Sequence, residues 1–363
     1  DSMNHNLQQL RNTGQSIWLD NITRGLLDSG TLAKYISEYG LTGLTSNPTI
    51  FDEAIGGSSD YDAGIREKHD AGLDGEALFI ELALEDLRRA AGLFLPAHQA
   101  THGLDGWVSM ELSPMLARDT AGSIQAASQI HAQAACDNLF VKIPGTPEGL
   151  GAIEESIFNG IPVNVTLLFS MQQYVASADA YMRGIERRIE AGRDPVVGSV
   201  ASLFVSRWDK AIAAKAPPQL RNRLGIAISQ RAYREYRKLL ASSRWKTLAD
   251  AGALPQRLLW ASTSVKDPSA PDTLYLSTLA APDTIDTVPE KTLQAFADHG
   301  MVQGVMREDG ADSENVLAEF AKAGIDVDAL ALQLQEEGAQ SFIKSWQELL
   351  QRIDDKSHSL VAK

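Results

Sequence analysis

The chain has 363 residues, with 47 acidic side chains against 33 basic ones and a formal charge of −14, so its summed field repels polyanions and argues against DNA, RNA or an anionic membrane as partner. Its single cysteine, Cys136, excludes an intrachain disulfide and a cysteine-based metal cage, and fits a reducing cytoplasm. No run approaches the roughly 20 apolar residues of a membrane span, and the opening DSMNHNLQQLRN lacks the basic start and apolar core of a leader; the chain reads as soluble and unprocessed, with Asp1 and Ser2, ahead of Met3, set aside.

Short strand-like runs alternate with longer helical patterns from end to end. SIWLD (16–20) comes first and GLTGLTSN (40–47) second; between them TLAKYISEYG places Leu32, Tyr35, Ile36 and Tyr39 on one helical face, with Gly40 as a C′ residue. GWVSMEL (106–112), NLFVKIP (138–144), IPVNVTLLF (161–169) and VVGSVASLF (196–204) follow, then RLLWAST (257–263) and DTIDTV (283–288), the weakest of the set. From about Gly310 the chain reads as further helices, with SFIKSWQELLQRI amphipathic and the end, DDKSHSLVAK, frayed.

Strands alternating with helices in this way predict a parallel sheet, either closed as a (β/α)8 TIM barrel or open and doubly wound. No glycine-rich dinucleotide or phosphate-loop fingerprint follows any strand, which weakens the open alternative. No internal repeat or low-complexity linker divides the chain. The expectation is therefore one α/β barrel domain over 3–363, with a C-terminal helical extension from about 310.

Side chains on a strand alternate between faces, so parity can be read from the sequence. Val108, Met110 and Leu112 form one apolar face and leave Trp107, Ser109 and Glu111 on the other; Leu139, Val141 and Ile143 leave Phe140 and Lys142. Ile161, Val163, Val165 and Leu167 leave Asn164 and Thr166, while Ile17 and Leu19 leave Trp18 and Asp20. The same pattern puts Thr45 and Asn47, Val200 and Ser202, and Trp260 and Ser262 on the second face of their strands. In a barrel the first face packs under the helices and the second points to the axis, so Asp20, Asn47, Glu111, Lys142, Asn164, Thr166, Ser202 and Ser262 are expected to converge at the C-terminal mouth.

Each of these residues has a plainer reading when taken alone. A lysine at a strand end snorkels to solvent, and Glu111 serves as its neutralising ion partner. Asn47 before Pro48 is a good helix N-cap with proline at N1, and Thr166 is a strand former. Asn164 is harder to dismiss, because amides are depleted from strands; Ser202 and Ser262 are weak signals singly. Arg207, just past the sixth strand near a helix start, suits either a solvated surface or a phosphate. His98 and His102 are spaced i, i+4 but lack the glutamate of an HExxH zinc motif, no G-x-S-x-G elbow occurs, and Cys136 lies upstream of the fourth strand. Shared parity, rather than any one residue, favours a site.

A lysine amine in a semi-buried pocket can add to a sugar ketone and form an iminium, an electron sink that permits cleavage of the neighbouring carbon–carbon bond. The amine must be neutral to attack, and at an ordinary pKa only about one lysine in two thousand is neutral at pH 7. Carbinolamine dehydration needs a carboxyl group to move protons, a task for which Glu111 is placed, and Asp20 is available as a second acid/base for the bond-breaking step. Asn47, Asn164 and Ser202 can hydrogen-bond substrate hydroxyls.

GLTGLTSNPTIF, NLFVKIPGTPEGL, NVTLLFS and SLFVSRWD resemble the transaldolase family, particularly its longer bacterial members. The resemblance implies a class I aldolase-type barrel working without cofactor or metal. It would move a dihydroxyacetone unit from sedoheptulose 7-phosphate or fructose 6-phosphate to an aldose phosphate, glyceraldehyde 3-phosphate or erythrose 4-phosphate, in the pentose phosphate pathway. By motif, Lys142 matches the Schiff-base lysine, Glu111 and Thr166 the pair that holds the catalytic water, and Asp20 the acid/base. Asn47, Asn164 and Ser202 match substrate-binding positions, Phe204 a pocket residue, Arg207 a phosphate ligand and Ser262 a phosphate contact. Many members carry a second phosphate-binding arginine where this chain reads ASTSVKDP; Ser264 stands near that position and Lys266 is the closest cation.

The resemblance leaves two rivals: an aldolase that releases free dihydroxyacetone, as fructose-6-phosphate aldolases do, and a non-catalytic barrel that only binds sugar phosphates. A monomer and a homodimer are equally compatible with the sequence.

Overall fold

Eight parallel strands with helices between them form the framework of the computed structural model, which describes residues 3–361. Asp1 and Ser2 lie outside the described residues. The strands are β1 (Gln15–Asp20), β2 (Leu44–Thr45), β3 (Val108–Glu111), β4 (Leu139–Pro144), β5 (Val163–Leu168), β6 (Ser199–Phe204), β7 (Arg257–Ala261) and β8 (Thr284–Val288). They are ordered β2-β1-β8-β7-β6-β5-β4-β3, and a parallel bridge between Gly43 and Trp107 joins the two outer strands, closing the barrel. Gly43 is required at this seam, because a Cβ there would lie 2.5 Å from the Trp18 ring. β2 is the shortest strand, since the chain passes from the seam at Gly43 into the helix Pro48–Gly57 within a few residues.

The helices begin where the sequence supplies caps. Asn47, Thr146 and Ser170 accept hydrogen bonds from the main-chain N–H of Ile50, Gly149 and Gln173, opening the helices Pro48–Gly57, Pro147–Phe158 and Met171–Glu190; proline occupies the first position of the first two. These caps follow β2, β4 and β5 directly, so their helix N-termini gather at the mouth. Gly40 closes the helix Thr31–Tyr39 at φ 69°, as its position after Tyr39 predicts. On the outer wall Val108, Met110, Leu139, Val141, Ile143, Val163 and Val165 are fully buried, each contributing on the order of 1.5–3 kcal/mol of transfer free energy.

The expected parity holds in β1 to β6, as far as Val165 in β5, and fails in β7. Val200 of β6 faces Arg257 and Ser202 faces Leu259, so Arg257, Leu259 and Ala261 point to the axis. Trp260 faces the helices, where its indole N–H donates to Leu279 O at 3.0 Å. The run LLWA is apolar on both faces and carries no alternation to read, and Arg257 resembles a solvated strand start. It is instead 5% exposed, forming the barrel floor with Asp105. Asp105 accepts from Ser16 Oγ (2.6 Å) and Trp18 Nε1 (3.0 Å), while Arg257 donates to Ser16 Oγ (2.8 Å) and Leu104 O (3.0 Å). Asp105→Leu leaves that guanidinium buried beside no carboxylate; a loss of about 3–5 kcal/mol is expected, read as a lower urea midpoint at unchanged slope.

The C-terminal segment forms the helices Ser313–Lys322 and Val327–Val361. The expected fraying of DDKSHSLVAK is not observed through Val361, and its last two residues lie outside the described set. Lys356 Nζ donates to Ser58 O (3.2 Å) and pairs with Asp62 (2.7 Å), and Ile353 and Ser357 are buried, so tertiary contacts hold the final turns. This last helix crosses the C-terminal end of the barrel. Its Gln335 amide donates to Gly145 O (3.1 Å) and Leu167 O (2.9 Å), beyond β4 and at the end of β5. Gly338 permits the close approach, since a Cβ there would come 2.8 Å from the Leu167 side chain. No helix among the described residues is long and apolar enough to cross a membrane.

Candidate active site

Glu111, Lys142 and Asn164 lie side by side across β3, β4 and β5, at paired positions of the ladder. The Lys142 amine, on a side chain 11% exposed, donates to Ser46 O at 2.9 Å and to Glu111 Oε1 at 3.4 Å. Glu111 also accepts from Ser46 Oγ, at 3.1 Å to Oε2. Ser46 thus binds both members of the pair, a role that no local pattern in the sequence marks.

Asp20 ends β1 across the mouth. Its Oδ1 accepts from Thr45 Oγ1 at 3.0 Å, and Thr45 in turn shares a hydrogen bond with Thr287 of β8 at 2.6 Å. Burial raises the Asp20 pKa above the ordinary aspartate range, against the opposing pull of the Lys142 charge and the Thr45 hydrogen bond. A carboxyl group poised in this way exchanges protons nearer neutrality than a solvated aspartate does.

Asn164 is fully buried and oriented at both ends: its amide donates to Ser109 Oγ (3.2 Å) and its Oδ1 accepts from Ser202 Oγ (2.7 Å). Asn47 is the helix N-cap that its plainer reading expects. Its Oδ1 accepts from Ile50 N as an N-cap, while the residue also lines the cavity. Thr166 Oγ1 is buried and hydrogen-bonds no side chain or main-chain group among the described residues. Beyond it Leu167 adopts φ 59° and the β5–β6 register slips, a bulge of the kind that re-aims side chains beside sites.

Farther along the cavity lies a cationic end. The Arg207 guanidinium sits 5.2 Å from the Phe204 ring and 5.8 Å from the Phe342 ring, forms no ion pair among the described residues, and has its pKa lowered by burial. Ser262 reaches this point although its strand parity is opposite to the expected one. It follows the end of β7 at φ 55°, which turns it inward, and it shares a 2.6 Å hydrogen bond with Ser206. Lys266 donates to Ser264 Oγ at 2.7 Å, and its pKa is lowered by burial and by the positive charges of Lys210 and Arg207. Lys210, one turn past Arg207 in the helix Ser206–Ile212, is a cation that the sequence reading missed. Phe342 was missed as well, since its apolar helical spacing gives no hint that it reaches the mouth.

One cavity therefore runs from Asp20 and Lys142 past Asn164, Ser202 and Phe204 to Arg207, Ser262 and Lys266. It holds the Lys142 amine and the Asp20 carboxyl group at one end and the Arg207 and Lys266 cations at the other. His98 lies outside it, with Nδ1 2.8 Å from Asp105 O and its ring against Trp107. Among the described residues no cluster of three or more His, Cys, Asp or Glu side chains could hold a metal ion.

Comparison with known proteins gives a consistent result. The transaldolase/fructose-6-phosphate aldolase family model matches residues 17–353. The chain is 45% identical to a transaldolase of Arthrobacter sp. over 356 residues, covering 96% of each. Its identity to a transaldolase of Frankia alni is 44%, covering 97% of each chain, and to Transaldolase 2 of Nostoc punctiforme 40%, covering 98% of each.

Proposed function

Because this chain belongs to the transaldolase/fructose-6-phosphate aldolase family and carries a lysine amine at one end of a cavity and, at the other, cations with no ion-pair partner among the described residues, we propose that it performs transaldolase chemistry with Lys142 as the covalent carrier. The observation that carries this reading is the Lys142 amine, nine-tenths buried yet open to the cavity and 3.4 Å from Glu111.

Lys142 Nζ adds to C2 of a ketose phosphate. Glu111, acting with a water held against Thr166 Oγ1, delivers the proton that lets the C2 hydroxyl leave as water, and an iminium results. Asp20 then takes the C4 hydroxyl proton as the C3–C4 bond breaks, and the bonding electrons move into the iminium to give an enamine. An aldose phosphate departs; a second one enters, the enamine carbon attacks its aldehyde, Asp20 returns the proton, and water then adds at C2 of the new iminium so that the C–N bond breaks and frees the ketose phosphate and the Lys142 amine. Asn47, Asn164 and Ser202 hold the hydroxyls of the three-carbon unit. Arg207, Ser262 and Lys266 bind the phosphate, with Phe204 beside them. A cytoplasmic setting suits both the phosphorylated substrates and the lone cysteine.

Fructose 6-phosphate incubated with and without erythrose 4-phosphate tests the reading. Consumption should depend on the acceptor, and equally rapid release of dihydroxyacetone without it would replace a transferase with an aldolase. Arg207→Ala should raise the KM for fructose 6-phosphate about 10- to 100-fold, the loss of a charge-assisted bond to phosphate, with a smaller rise for Lys266→Ala. Steady-state kinetics that leave KM unmoved in both would displace the phosphate from this end. Thr45→Val removes a bond that favours the Asp20 carboxylate. Since cleavage needs that carboxylate, the acidic limb of kcat/KM should move to higher pH, and an unmoved or lowered limb would free Asp20 from the assigned role.

A further inference from the structure

The Arg207 guanidinium is half-buried, yet among the described residues it forms no ion pair and no hydrogen bond through any of its N–H donors. Two rings flank it instead. Phe204 ends β6, three residues before it, and Phe342 comes from the helix Val327–Val361; the charge lies 5.2 Å and 5.8 Å from their centroids. Gly338, one turn before Phe342, lets that helix come close, since a Cβ there would lie 3.4 Å from Arg207 Nη1. Glu337 shares an outer opening of the cavity with Arg207, but it accepts from Gln333 at 2.8 Å and pairs with no cation among the described residues.

We infer that Phe342 is a positioning residue for the phosphate: its ring steadies the Arg207 guanidinium without using any N–H donor, and so sets how strongly a phosphorylated aldose is preferred to the same aldose without phosphate. The inference rests on the proposed phosphate-binding role of Arg207. A carboxylate partner would also orient the guanidinium, but it would offset the charge and occupy the N–H fork that has to meet the phosphate oxygens. A ring quadrupole attracts the cation and takes up none of that fork. It also offsets part of the cost of holding this charge out of water where the neighbouring charges, Lys210 and Lys266, have the same sign. Phe204 belongs to the same stretch of chain as Arg207, whereas Phe342 ties the arginine to an element more than a hundred residues away. A long side chain confined from both sides loses less rotamer freedom when phosphate arrives.

Phe342→Leu keeps an apolar side chain without the ring, and Phe342→Tyr keeps the ring. With fructose 6-phosphate as donor, kcat/KM is measured for erythrose 4-phosphate and for unphosphorylated erythrose as acceptors. The ratio of the first to the second should fall about fivefold in Phe342→Leu, the worth of one cation–π contact, and stay within about twofold of wild type in Phe342→Tyr. Phe342 also lines the narrower cavity beside Lys142, but an effect on the chemistry there acts on both acceptors. Partial loss of folded protein cancels in the same way, because both values come from one preparation. A ratio within about twofold of wild type in Phe342→Leu, or an equal fall in both variants, overturns the inference. Arg207→Ala tests the reading beneath it and should lower the ratio further; an unchanged ratio in that variant would remove Arg207 from the phosphate and strike the functional assignment instead.

Discussion

Lys142→Ala should lose turnover by roughly 10⁴-fold or more, the scale on which enzymes respond to removal of a covalent nucleophile. Borohydride reduction in the presence of fructose 6-phosphate should leave an adduct on the peptide containing Lys142 in the wild-type protein and none in the variant. Among the described residues the amine is held only by Ser46 O and Glu111, and β4 keeps its ladder through main-chain bonds, so the fold should survive the change. Circular dichroism and melting establish that separately. A wild-type adduct on any other lysine, or substantial turnover in the variant, ends the covalent reading, because neither Glu111 nor Asp20 can form an iminium.

Asp20→Asn should separate two steps that Lys142→Ala abolishes together. The amide keeps the shape of the side chain and its acceptor oxygen for Thr45, but cannot take the proton released as the C3–C4 bond breaks. Transfer should fall by about 10²- to 10⁴-fold, the usual share of a general acid/base. Iminium formation depends on Glu111 and Lys142 instead, so borohydride should still trap substrate on the variant. Loss of trapping in parallel with turnover would assign Asp20 to iminium formation; full activity would remove it from the reaction.

Much of this arrangement is legible in the sequence because a parallel barrel turns a one-dimensional rule into a place. Alternation in GWVSMEL, NLFVKIP and NVTLL separates the helix-packing face from the axial one, and closure then brings Glu111, Lys142 and Asn164 to neighbouring rungs. The rule fails where alternation is missing. LLWA is apolar on both faces, so its parity was inverted, and Ser262 reaches the Arg207 end of the cavity only through the left-handed turn at φ 55°. The bulge at Leu167 is equally hidden, since a non-glycine residue at positive φ is held by its surroundings and not by its own preference. Ser46 and Phe342 join the site through contacts distant in the chain, for which a local pattern offers no signal. The same long-range physics defeats the expectation of a frayed end, which Lys356 ties down onto Asp62.

The helix Val327–Val361 also has a bearing on when the protein becomes active. Every residue assigned to the reaction, from Asp20 to Lys266, precedes it, yet Gln335, Gly338, Ala339 and Phe342 finish the roof over Lys142. On the ribosome the barrel can form its strands and expose a complete set of reacting groups before that roof has been made. A nascent chain at that stage would hold its amine and Glu111 in an open, wet basin. The lining of the cavity beside Lys142 is thus complete only once a helix synthesised after every one of those groups is in place, so a chain stalled before Val327 would lack the wall that Ala339 and Phe342 provide.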